Sequence, residues 1–83
     1  MELILISLDQ QYTKNIAWIE INTPNGNYII QKGHAPLIIP LSPNEPLTYQ
    51  LDSGKKETLM VLSGIADIDR KKISIIMRVT MEK

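Results

Sequence analysis

Cysteine is absent from this 83-residue chain, and histidine occurs only once. Without cysteine the chain can form no disulfide framework, no thiolate metal site and no cysteine nucleophile. A single histidine also excludes a metal cluster built on several histidines. Because small secreted domains usually depend on disulfides or metals for stability, this composition favours an intracellular protein.

An excess of charge of either sign is also lacking. Nine Lys and Arg residues balance nine Asp and Glu residues, giving a formal net charge of zero. This balance excludes a strongly basic nucleic-acid-binding protein and a polybasic membrane anchor. No apolar stretch approaches the roughly 20 residues of a membrane span. We therefore expect neither a nucleic-acid partner nor direct insertion into a membrane.

Phenylalanine is absent, and the chain has one Trp and three Tyr. Isoleucine and leucine must therefore fill the core. Isoleucine is β-branched and is favoured on the pleated surface of a sheet, so an isoleucine-rich chain is typical of a β protein. The length allows one small hydrophobic core, and we assign residues 1–83 to a single domain.

Alternating apolar and polar residues mark several short strands. Ile19 and Ile21 share one strand face, and Leu47, Tyr49 and Leu51 share a face of another. Turn residues separate such segments every 8–12 residues or so, and no segment has a helical period over two turns. The sequence predicts an all-β fold: a small β-sandwich of two packed, mostly antiparallel sheets with no substantial helix.

Residues 3–8 are nearly all apolar and predict a strand that is covered on both faces. Four of the five prolines lie between Pro36 and Pro46, so no central strand should run through that stretch. The turn at Pro24, Asn25 and Gly26 predicts a hairpin. The positions expected to be buried are Leu5, Ile19, Ile21, Leu51, Leu62, Ile68, Ile73 and Ile75.

Residues that could carry catalysis are scattered. The four glycines are isolated and form no phosphate-binding loop. Asp67 and Asp69 lie two residues apart and resemble a carboxylate pair, but they adjoin a basic turn and are expected to be solvated surface charges. We therefore expect no catalytic residue, no metal site, no cofactor and no small-molecule substrate.

Three residues leave alternatives open. His34 either bonds to the neighbouring backbone of its loop or contacts a partner. Trp18 shares a strand face with Glu20 and Asn22, and Ile76 shares one with polar residues. Either a second sheet or loop covers these two side chains, or a partner protein does, since an exposed Trp is a favoured interface anchor.

The segment Gly33-His34-Ala35-Pro36-Leu37, followed by a Leu and a Pro at 41 and 43, resembles the N-terminal β-sandwich domain of the epsilon subunit of F-type ATP synthase. The resemblance extends in order through residues 6–12, 23–26, 61–68 and 72–77. Some positions depart from the family pattern. A second glycine is Ile29, and the usual paired glycines are a single Gly64. The family's pair of C-terminal helices would follow Lys83, so a short natural form and an excised domain both fit.

The resemblance implies a non-catalytic rotor subunit in the central stalk of a proton-translocating ATP synthase, which couples the gamma subunit to the membrane rotor ring. Such a subunit would be cytoplasmic and peripheral to the inner (plasma) membrane through the complex. The resemblance also implies that one loop end faces both partners. The candidate partner-binding residues are Asn27, Gly33, His34, Ala35 and Pro36, with Trp18 as a further anchor.

Two other functions remain open. A free-standing β-sandwich interaction module, or a divergent paralogue outside the complex, would keep the fold without the ATP synthase. A ligand-binding or enzymatic domain would need His34 to converge with Asp67 or Asp69, and the strand pattern gives no reason to expect this.

Overall fold

The computed structural model describes residues 1–79, which form seven strands and no helix. This confirms the all-β prediction. The strands are β1 (Glu2–Ile6), β2 (Gln11–Thr23), β3 (Gly26–Gln31), β4 (Leu37–Pro40), β5 (Glu45–Leu51), β6 (Lys56–Ile68) and β7 (Lys72–Val79). All pairings are antiparallel except that of β1 with β7.

Two long strands, β2 and β6, join the two layers of the sandwich. The first half of β2 pairs with β1, and its second half pairs with β3 and β5. The first half of β6 pairs with β5, and its second half pairs with β7 and β4. One layer is therefore β3-β2-β5-β6, and the other is β2-β1-β7-β6-β4. The same two strands close the layers into a continuous ring of pairings.

A bulge lies where each long strand passes from one layer to the other. The register shifts between Ile16 and Trp18 in β2, and between Val61 and Ser63 in β6. An extra residue bends a strand and reverses which alternate positions face the interior. Val61 before the bulge in β6 is buried, and the even-numbered Ala66 is buried after it.

The bulge explains Leu62, one of the two positions expected to be buried that are not. Leu62 was expected to be buried, but its side chain is 36% exposed because Val61 takes the inward position immediately before the register shift. Leu51 is half-buried. The other six expected positions are confirmed as buried: Leu5, Ile19, Ile21, Ile68, Ile73 and Ile75.

The prolines of this stretch that lie in strands, Pro40 and Pro46, each pair with a neighbouring strand on one side only. β4 pairs only with β6. Pro46 lies in β5 opposite Met60 of β6, and the pairing of β5 with β2 begins only at Thr48. Since proline has no amide proton to donate, it is tolerated where one side of the strand is unpaired.

The sandwich covers only the inner face of each layer. The apolar run from Leu3 to Leu8 was expected to be covered on both faces, but only Leu3 and Leu5 are buried. Ile4 and Ile6 point outward and are half-buried, and Leu8 lies in the exposed β1–β2 turn. An apolar outer face therefore remains on the layer that contains β1.

Candidate partner-binding surface

The β3–β4 loop holds Gly33, His34, Ala35 and Pro36 in a fixed shape. Gly33 adopts φ +86°, a conformation that side-chain-bearing residues rarely take, and its amide donates a 3.1 Å hydrogen bond to the carbonyl of Arg70 in the β6–β7 turn. The His34 amide donates to the carbonyl of Gln31 at 3.1 Å. These bonds tie the loop to two neighbouring elements of the sandwich.

The His34 ring is also bound within its own loop. Its Nδ1 lies 2.7 Å from the carbonyl oxygen of Ala35. A carbonyl oxygen only accepts, so Nδ1 carries the proton in this contact. Of the two alternatives for His34, the hydrogen bond to the neighbouring backbone is therefore present in the structure. Ala35 and Pro36 are exposed beside it.

Asn27 does not share this loop end. It lies at the start of β3, where its side-chain amide donates to Glu20 Oε2 and to Asn22 Oδ1, both at 2.9 Å. Asn27 and Gln31 are four residue steps apart along the extended strand, about 13 Å, and the His34 loop begins beyond Gln31. The expectation of one loop end containing both sites is therefore wrong: they lie at opposite ends of β3.

Trp18 lies at the same end of β3 as the His34 loop, opposite Gln31. Its indole Nε1 donates a 2.6 Å hydrogen bond to Gln50 Oε1, and the Lys56 ammonium lies 5.7 Å from the ring centroid. Trp18 is half-buried under these side chains of its own layer. Neither a second sheet nor a loop is needed to explain that partial cover.

Ile76 belongs to a row of apolar side chains that crosses four strands. The register pairs Pro40 of β4 with Ile65 of β6, Ile65 with Ile76 of β7, and Ile76 with Ile6 of β1. Directly opposite residues share one face of a sheet, so these four side chains form a continuous outward strip, which we call the apolar row. Ile76 is 61% exposed and Ile65 is 50% exposed.

One further apolar residue, Ile38, extends this surface beyond the apolar row. Ile38 is 70% exposed and lies in the adjacent register row, opposite Asp67. Sequence reasoning identified Ile76 but missed Ile38 and Ile65, because it expected the second sheet to cover both faces of apolar strands. One feature of the sequence could have indicated them. Successive residues of a strand point to opposite faces, so a continuous apolar run must place every second side chain on the outer face.

The two acidic residues near this surface, Asp67 and Asp69, lie in different settings. Asp67 lies on the outer face of β6, whereas Asp69 lies in the following turn, where its Oδ1 accepts a 2.5 Å hydrogen bond from the Arg70 amide. Within residues 1–79, no group of three or more histidine or acidic side chains could hold a metal ion.

The comparison with protein families decides the relationship. The family model for the ATP synthase delta/epsilon chain β-sandwich domain matches residues 1–83. The chain belongs to this family. The resemblance to this family seen in the sequence is thereby confirmed.

Solved structures support the same fold. One similar chain comes from the Euglena gracilis mitochondrial ATP synthase, in its OSCP/F1/c-ring assembly, with 24% identity and a TM-score of 0.83 over 90% of this chain. Another comes from the Tetrahymena thermophila mitochondrial ATP synthase central stalk and c-ring, with 19% identity and a TM-score of 0.79 over 93% of this chain. This chain spans 48% and 62% of those two chains. No curated protein matches the sequence. In residues 1–79 of this delta/epsilon-type sandwich, no helix is long and apolar enough to cross a membrane.

Proposed function

We propose that this chain is the sandwich domain of an epsilon-type subunit and works as a non-catalytic part of the central rotor of a proton-translocating F-type ATP synthase. Its partners in this proposal are the gamma subunit and the membrane rotor ring. It would lie on the cytoplasmic side, peripheral to the membrane through the complex. The observation that carries the proposal is the family match over residues 1–83.

The apolar row gives this proposal a contact surface. A row of exposed Ile and Pro side chains across four strands is costly to leave in water, because each buried apolar side chain contributes about 1.5–3 kcal/mol. Contiguous exposed apolar surface marks an interaction site. We assign the gamma subunit to the apolar row, since a shaft protein can cover a flat sheet face.

The rigidity of the sandwich suits the transmission of torque. β2 and β6 run through both layers, so a force applied to the apolar row reaches the rest of the sandwich through backbone pairings. The interior between the layers is densely packed and resists compression. A displacement at one contact is therefore passed to the other rather than absorbed.

The rotor ring would then be contacted by loops at the ends of the sandwich. The His34 loop and the start of β3 around Asn27 are the two candidates, and their positions at opposite ends of β3 mean that they need not contact the same partner. Asn27 is neutral and already bonds to Glu20 and Asn22. A ring contact at Asn27 should therefore depend only mildly on salt.

A co-assembly experiment tests the proposal. The full chain is expressed with the gamma and ring subunits of its own organism, and the complex is recovered through a tag on gamma. Ile76→Arg should reduce recovery of this chain at least tenfold, since a charge in an apolar contact is left unpaired. Ile29→Arg is the matched control. Ile29 is 58% exposed but lies on β3 in the other layer, so its replacement should leave recovery unchanged.

The loop arm of the experiment uses Ala35→Trp and Asn27→Trp in separate chains. A bulky side chain at the end that contacts the ring should weaken recovery of the ring while the isolated chain stays folded. Absence of the unaltered chain from the complex recovered through gamma would refute the proposal and favour a free-standing interaction module. An adjacent gene for the catalytic beta subunit would support membership of the complex.

A further inference from the structure

A cavity of about 560 Å³ is lined by residues from both layers of the sandwich. It lies where β1 and β7 end and where β5 turns into β6. Its floor is apolar and is formed by Leu5, Leu59, Met77 and Val79, with the buried Tyr49 beside them. Its rim includes Lys14, Lys55 and Glu57.

The cavity is lined by positions that face inward. Ile16 is buried in β2, so Lys14 and Tyr12, two and four residues before it, lie on the same strand face. In β6, Glu57 and Leu59 likewise share the face of the buried Val61. The interior of the sandwich therefore continues into the cavity. The interior is lined by apolar side chains, whereas the cavity has an apolar lining with charged groups at its mouth.

The charged groups at the mouth carry one excess positive charge. Lys14 Nζ lies 3.7 Å from Glu57 Oε1, and Lys55 Nζ lies 4.0 Å from Glu57 Oε2. Two ammonium groups thus share a single carboxylate. The Tyr49 hydroxyl donates a 2.7 Å hydrogen bond to Glu57 Oε1, which holds this carboxylate against the wall. The lysines retain donors that can turn toward a second anion.

The size of the cavity also limits the ligand. Small-molecule sites typically have volumes of about 300–1,000 Å³ and combine an apolar lining with a few polar groups. An apolar floor with an excess cation at the mouth complements a molecule with an aliphatic body and an anionic head. Lys14, whose ammonium lies 5.9 Å from the centroid of the Tyr12 ring, is the less exposed of the two lysines and is held at the mouth.

We propose that this cavity binds a soluble single-chain aliphatic carboxylate, with its head on the remaining donors of Lys14 and Lys55, on the side away from Glu57, and its chain on Leu5, Leu59 and Met77. The site involves neither the apolar row nor the His34 loop. Binding is non-covalent and reversible.

In the test, sodium octanoate is titrated into the full 83-residue chain. Binding is measured by isothermal titration calorimetry and by changes in amide chemical shifts. We expect saturable binding that tightens from hexanoate to octanoate, with chemical-shift changes confined to the end of β1, the start of β2, the end of β7 and the β5–β6 turn. Lys14→Met and Lys55→Met should each raise the Kd for octanoate about fivefold, the effect of losing one partly exposed ion pair. Lys71→Met removes one positive charge from the β6–β7 turn and should leave the Kd unchanged.

A second comparison separates a built site from general hydrophobic binding. 1-Octanol has the same chain without the charge and should bind at least fivefold more weakly than octanoate. Val79→Trp, which fills the mouth from the end of β7, should abolish binding while thermal unfolding remains cooperative. Equal affinity for octanol, equal loss in Lys71→Met, shifts centred on Ile65 and Ile76, or no binding of octanoate at millimolar concentration would each overturn the proposal.

Discussion

Tyr49 and Glu57 lie directly opposite each other on β5 and β6, and the Tyr49 hydroxyl donates a 2.7 Å hydrogen bond to Glu57 Oε1. Burial of the phenol, its hydrogen bond to Glu57 and the nearby negative charge all raise the pKa of Tyr49 above its usual value of 10.0. The same hydrogen bond is the main cause that lowers the pKa of Glu57, with Lys14 and Lys55 adding to it. The pair therefore links stability to pH at both extremes.

Replacement of Tyr49 by Phe should flatten the alkaline limb of the stability profile. In the folded protein the raised pKa keeps Tyr49 protonated, whereas the unfolded chain releases this proton above pH 10. Unfolding is therefore favoured as pH rises beyond that value, and the contribution of Tyr49 is fully present below it. Urea unfolding between about pH 9 and pH 11 should show a steeper loss for the natural chain than for Tyr49→Phe. Parallel profiles would contradict the assignment.

Replacement of Glu57 by Gln should change the acid limb of the stability profile. Here stability is lost as pH falls, whereas for Tyr49 it is lost as pH rises. Because its folded-state pKa is lowered, ionised Glu57 stabilises the fold above its ordinary pKa of 4.5, and this contribution is lost as pH falls through the folded-state value. The stability difference between the natural chain and Glu57→Gln should be constant near neutrality and should vanish in acid. Glu45→Gln, at the exposed start of β5, is the control. A difference that persists in acid would point to packing instead.

Alternation of apolar residues was enough to predict the inner face of single strands. Ile19 and Ile21 were assigned correctly because no register change separates them. Leu62 was not, because a bulge beside Val61 reverses the inward face within an unbroken apolar run, and the run itself carries no mark of that reversal. Bulges are determined by how a strand meets two neighbours, so they depend on tertiary contacts.

The candidate site was predictable to a similar extent. The His34 motif was visible in the sequence, since Gly and Pro fix its loop locally. The separation of Asn27 from His34 was not, because it depends on the residues between them forming a single extended strand. The apolar row depends on the register of four strands, of which β1 and β7 are joined by a parallel pairing between distant segments. The sequence around Ile65 alone gives no indication of this pairing.

Gly64→Ala should destabilise the fold by about 1–3 kcal/mol, the usual cost of forcing extra volume into a packed site. A Cβ at this position would lie 2.9 Å from the carbonyl oxygen of Ile76 and 3.1 Å from Met77 Cβ, so the paired backbone of β7 would have to move. Ser63→Ala, on the neighbouring exposed residue, should change stability by less than about 0.5 kcal/mol. Urea unfolding measures both, and equal stability of the two variants would contradict the close approach.

His34→Asn should change the free energy of unfolding by no more than about 1 kcal/mol, the contribution of one hydrogen bond. The His34 ring makes one contact with the Ala35 carbonyl, and the loop is otherwise held by backbone bonds from Gly33 and His34. Thermal unfolding followed by circular dichroism tests this expectation. A larger loss would show that the ring supports more of the loop than its local bond. Hydrolysis of an ester, phosphate or sugar substrate that disappears in this variant would overturn the non-catalytic proposal.

Thr23→Val should weaken the β2–β3 hairpin more than Thr23→Ser does. Thr23 is the buried polar residue that ends β2, and its hydroxyl donates to the Gly26 carbonyl at 2.8 Å and accepts from the Asn25 amide at 3.1 Å. Valine keeps the shape but leaves two partly buried backbone groups without partners, which costs about 1–3 kcal/mol. Serine keeps both hydrogen bonds and loses one methyl group, about 1 kcal/mol. Urea unfolding of the two variants should therefore place Thr23→Val below Thr23→Ser, and amide exchange at Asn25 should accelerate only in the valine variant. The reverse order would mean that the methyl group, and not the hydroxyl, holds the turn.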